Sequence, residues 1–147
     1  MRQRWVATWE IRRRIVIALV TAGFFTWAGE AFLAWGTSLE PKFEDAPYLG
    51  STAADEVLAL AALAFATVAI LLAIGLVQLA RRSRPGRVTV IVACTLVLLG
   101  QTLALVLVTI PIDAFYYHAP PGTTFCFPLM IFPLLTIALL LGVPREN

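Results

Sequence analysis

Two acidic side chains interrupt sequence that is otherwise apolar. Glu30 lies within the run 15–35, and Asp113 follows the run 88–112. A carboxyl group inside a membrane-length apolar run is costly to desolvate and marks a candidate ion or proton site. Thr95, Thr102 and Thr109 recur every seven residues with Asp113 four further on, and Gln101 sits beside that line. Threonine hydroxyls bond back to their own helix, whereas the Gln101 amide needs a partner on another helix. Glu30, Gln101, Thr102, Thr109 and Asp113 therefore form the candidate intramembrane polar site. Gly23, Thr26, Glu30 and Ala34 share one helical face, a small polar stripe expected to meet other helices. The simpler reading of Glu30 is that it reaches headgroup water, since it stands ~24 Å past Arg14 on a helix.

A second group, Phe115, Tyr116, Tyr117, His118 and Cys126, lies in a proline-rich connection. Histidine, cysteine and carboxylate are metal-ligand types, but there is one histidine and no C-x-x-C or H-x-x-H spacing. No metal or cofactor is expected. The cluster reads as an aromatic outer loop for interaction with the leaflet or a partner. Cys94 and Cys126 fall near opposite membrane faces, too far apart for a bridge within the chain. No nucleophile elbow, phosphate loop, dinucleotide fingerprint or zinc-protease helix is present. Catalysis is not expected, and nucleic acid is not an expected partner because membrane anchoring accounts for the arginines.

The elements that must position these residues follow from composition. The 147 residues are 60% hydrophobic and 14% charged, against about 25% charged in soluble domains. Four apolar runs, about 15–35, 57–80, 88–112 and 127–143, approach the ~20 helical residues that cross a ~30 Å hydrocarbon core. The expected fold is an all-α integral membrane protein, an up-down four-helix transmembrane bundle in one domain with both termini cytoplasmic. A juxtamembrane helix over 1–14, with Trp5 and Trp9 on one face, precedes it; we read it as retained rather than as a cleaved signal peptide. Outer loops are expected over 36–56 and 113–126, and a capped helix start at Ser51–Glu56.

Charge sets the orientation. Arg2, Arg4, Arg12, Arg13 and Arg14 against Glu10, the loop arginines Arg81, Arg82, Arg84 and Arg87, and Arg145 against Glu146 give the proposed inner side +8. Lys42 against Glu30, Glu40, Glu44, Asp45, Asp55, Glu56 and Asp113 gives the outer side −6, and the two make the net +2. Positive loops stay inside, so a plasma membrane is expected. Ten arginines to one lysine suggest a GC-rich bacterial genome. The nine arginines of the N-terminal segment and the 81–87 loop are expected to meet anionic lipid.

Small residues recur at heptad spacing along the second run: Ala59, Ala62, Ala66, Ala69 and Ala73, continuing through Leu76 and Ala80. Such a seam lets helices approach closely in lipid. The expected function is accordingly an accessory, assembly or scaffold subunit of a larger inner-membrane complex, bound to other membrane subunits or to itself. A second expectation is an oligomeric transporter or channel subunit using Glu30. A third is an outer-leaflet lipid or quinone enzyme built on Glu30, Asp113, Tyr116, Tyr117 and His118.

Overall fold

The computed structural model describes residues 2–39, 51–83, 85–109 and 122–141, and within them the side chains of 10–39, 59–83, 85–103, 105–106 and 129–141. Four helices run in chain order: α1 Arg2–Leu39, α2 Ser51–Ala80, α3 Pro85–Thr109 and α4 Gly122–Leu141. Three segments are long and apolar enough to cross a membrane, Glu10–Leu39, Ala59–Ala80 and Pro85–Leu103, and the apolar stretch Leu129–Leu141 of α4 is shorter. The juxtamembrane helix expected over 1–14 and the first crossing are one element, with no break at Arg14–Ile15. Nothing there ends a helix: no proline or glycine occurs before Gly23. The helix at Ser51 begins where the capping sequence placed it, and α4 begins five residues ahead of the expected 127.

Each helix packs on its neighbours in sequence, and α4 closes the ring on α1 through an interface smaller than those between sequential helices. Three contacts fix the antiparallel register of α1 and α2. Glu10 pairs with Arg82, Arg13 with Leu79, and Trp27 stacks at 5.2 Å on Phe65, so the same intervals of 3 and 14 residues separate the partners on both helices. On the next interface the Thr89 hydroxyl donates to Gln78 Oε1 at 2.9 Å. Phe132 of α4 lays its ring on Gly23 of α1, filling the space a Cβ would need.

The core is apolar. Val16, Val20 and Trp27 of α1, Leu72 and Leu79 of α2, Val90, Ala93, Cys94 and Val97 of α3 and Leu140 of α4 form one buried cluster. Thr136 is the buried polar residue among those described, and its hydroxyl donates to the Phe132 carbonyl at 2.9 Å within its own helix. Along α2 the buried positions are Ala62, Ala69, Leu72, Gly75 and Leu79, while Ala66 and Ala73 are half-buried and Ala59 is exposed. The face turns from the alanine line toward the leucines because α2 must meet α1 and α3 together.

The α2–α3 turn is a Schellman cap. Ser83 N–H donates to the Gln78 carbonyl at 2.9 Å and Arg82 N–H to the Leu79 carbonyl at 3.1 Å, with Arg82 at φ 55° in the left-handed position usually held by glycine. A non-glycine residue there costs about 1–2 kcal/mol. The Arg82–Glu10 pair, on a side chain 71% exposed, returns no more than about 1 kcal/mol. Arg82→Gly and Arg82→Ala both lose the pair, but only glycine relieves the backbone. Thermal unfolding in detergent should therefore place Arg82→Gly above Arg82→Ala by about 1 kcal/mol; equal midpoints would show that the turn holds no strain.

Candidate functional site: a basic end and an outward carboxylate

At one end of the bundle the arginines do structural chemistry. The last carbonyls of a helix have no partner in their own ladder, and the helix dipole makes that end partly negative. Arg13 of α1 is placed by the register beside the end of α2. Its Nε and Nη2 donate to the Leu79 carbonyl at 3.2 and 3.1 Å, and Nη2 donates to the Ala80 carbonyl at 2.8 Å. Only 14% of this side chain is exposed, and Glu10 lies 3.6 Å away on the preceding turn. Arg87, in the first turn of α3, repeats the arrangement on the next pair: its Nη2 donates to the Leu140 carbonyl near the end of α4 at 2.6 Å. Each odd-numbered helix thus lends an arginine to the C-terminus of the even-numbered helix that follows it.

These roles occupy several of the arginines expected to meet lipid. Arg13 and Arg87 are half-buried against carbonyls and Arg82 is paired with Glu10, while Arg14 and Arg81 are exposed. The side chains of Arg2 and Arg4, and Arg84 as a whole, lie outside the described residues. Sequence reasoning missed the two caps because an arginine near a leaflet and one that caps a helix look alike in composition. Arg13 is the penultimate residue of the basic segment 2–14 and Arg87 the last of 81–87, and only the register of the helices brings each level with a neighbour's end.

The candidate polar site is dispersed. The buried line of α1 runs Val16, Val20, Gly23, Trp27 and continues through Ala31 and Ala34, which are half-buried, so Glu30 falls to its side and is exposed. The stripe expected to face other helices therefore divides. Gly23 is buried, whereas Thr26 and Glu30 are on the outer surface. The Thr26 hydroxyl donates to the Ala22 carbonyl at 3.0 Å. On α3, Gln101 is half-buried and Thr102 is exposed, its hydroxyl donating to the Leu98 carbonyl at 2.8 Å. Thr21, Thr37, Thr67, Thr95 and Thr136 bond back in the same way, leaving their helices outwardly apolar.

Continuing the α1–α2 register three residues past Trp27 sets Glu30 opposite Ala62. That is three residues, ~4–5 Å by helical rise, inside the Ala59 end of the apolar segment Ala59–Ala80. Among the described residues Glu30 meets no hydrogen-bond donor or cation.

The side chains of Thr109 and Cys126, and Asp113, Phe115, Tyr116, Tyr117 and His118 as a whole, lie outside the described residues. Among the described residues no three histidine, cysteine, aspartate or glutamate side chains converge on a point that would hold a metal ion. Cys94 is a free thiol packed in the core between α3 and its neighbours. Comparison of the chain with protein-family models, with curated proteins and with solved structures gives no match.

Proposed function

We propose that this chain is a small membrane protein without catalytic activity that serves as an accessory, assembly or scaffold subunit of a larger complex. The supporting observation is where its polar groups lie. The space between the helices is filled by valine, leucine, alanine and tryptophan, with Thr136 bonded to its own helix. Glu30, Thr26 and Thr102 are on the outside. Among the described residues the interior of the bundle is apolar, and Glu30 is turned toward whatever surrounds it. All four helices cross, on this reading, with the arginine-capped end and both termini in the cytoplasm of a bacterial cell. The charge difference between the two ends supports that orientation, in which the exposed Arg14 and Arg81 would meet anionic lipid.

Native mass spectrometry of the protein released from its own membrane tests the proposal. The expected result is a stoichiometric heteromeric mass. A clean monomer would overturn it. A homo-oligomer would favour the second reading, a transporter or channel assembled from several copies, because an outward Glu30 is placed to be gathered around a shared axis. In that case Glu30→Gln should abolish ion flux into proteoliposomes, and unchanged flux would remove Glu30 from any transport path.

A further inference from the structure

Around Glu30 the outer surface of α1 carries Ala22, Thr26, Gly29 and Leu33, all exposed and within one helical stripe. A Cβ built on Gly29 meets nothing within 4 Å, so the helix backbone is open to close approach there. Two large apolar side chains, Phe25 and Phe32, border the stripe and are more than half exposed. Hydrocarbon satisfies those rings but not a carboxylate. Intramembrane acids are retained where a cation or donor meets them.

Among the described residues no cation meets Glu30. Between Arg14 and Arg81, and between Arg87 and Arg145, the chain's only basic residues are Lys42 and His118. Both lie outside the described residues, and the described helices of a second copy carry no cation between Arg14 and Arg81 or between Arg87 and Leu141.

We infer that this face of α1 docks a transmembrane helix of a different protein, one carrying a lysine, arginine or histidine at the depth of Glu30. Small residues on either side of the acid let the two backbones approach, and the carboxylate sets the register by accepting from the partner's cation. The inference rests on the accessory-subunit reading and adds the surface and the chemistry of the partner.

The test is photo-crosslinking of the full-length chain in its native membrane. p-Benzoylphenylalanine is placed at Leu33, and for comparison at Leu60 of α2 and Ile131 of α4, which are also exposed. The Leu33 probe should give one protein adduct whose crosslinked transmembrane peptide contains a basic residue. Its yield should fall about tenfold in Glu30→Leu, the size of a strong interhelical hydrogen bond in lipid, and by less in Glu30→Gln, which can still accept. Helicity and thermal midpoint should not change, because Glu30 is on the surface.

A self-adduct would overturn the inference, as would a partner peptide without a basic residue or a yield indifferent to Glu30. Adducts from Leu60 or Ile131 alone would overturn it and leave the accessory-subunit reading standing. No protein adduct from any of the three positions would overturn both.

Discussion

Arg13→Leu lowers the stability of the isolated bundle by about 2–3 kcal/mol, the range for losing charge-assisted hydrogen bonds at a half-buried site. The variant keeps an apolar stem of similar length but removes the guanidinium donors to the Leu79 and Ala80 carbonyls, leaving Leu79 with the Arg82 N–H of the turn. Those groups stay near the helix end with their desolvation only partly relieved by water. It also removes the positive charge that opposes the dipole of α2 and stands near Glu10. Arg13→Lys keeps the charge and loses the planar fork that spans two carbonyls, so it should lose about 1 kcal/mol. Arg14→Leu, one residue on and exposed, should fall within about 0.5 kcal/mol of the parent. Unfolding in mild detergent, followed by helicity, ranks the three. Equal losses at Arg13 and Arg14 would mean that the cap contributes nothing beyond general charge.

Two glycines of α3 should respond to the same substitution with opposite signs. At Gly86 an added Cβ would lie 2.8 Å from Leu79 N and 2.9 Å from the Gln78 carbonyl carbon, both backbone atoms at the end of α2. Backbone cannot rotate aside as a side chain does, so the start of α3 must move off α2. That strains the Schellman turn and the Thr89–Gln78 hydrogen bond together. Overpacking of this kind costs about 1–3 kcal/mol, more than the ~0.5–1 kcal/mol that alanine gains over glycine within a helix. Gly86→Ala is therefore destabilising. At Gly100 a Cβ meets nothing within 4 Å, so Gly100→Ala keeps the helical gain and should raise stability by about 0.5–1 kcal/mol. Thermal midpoints of the two variants decide the matter; a loss at both positions would mean that α3 needs glycine for a reason other than contact with α2.

Much of the architecture was legible because it depends on one-dimensional quantities. An apolar run of membrane length must become a helix, since no other described element satisfies its own backbone without water. The Arg81–Arg87 segment, between two such runs, had to be a turn. The start of α2 at Ser51 followed from a short capping pattern, and the threonines bonded back to their own carbonyls as their chemistry requires. The merging of residues 1–14 into α1 was less legible, because a basic amphipathic stretch reads equally as a surface helix or as the end of a longer one.

The sites depended on rotation and register, which a sequence constrains only loosely. Glu30 sits three residues from Trp27, and at 3.6 residues per turn that small offset decides whether a side chain enters the core or leaves it. Packing of α1 against α2 through Trp27 and Phe65 resolved it outward. The Arg13 and Arg87 caps likewise exist only because antiparallel neighbours bring one helix's arginine level with another helix's end. Sequence by itself determined the helical elements, their apolar length and the charge contrast between the two ends, since each follows from local composition and backbone hydrogen bonding. Tertiary structure alone decided which arginines are spent on carbonyls and which way the carboxylate points, because both are set by the angular and axial fit of one helix on the next.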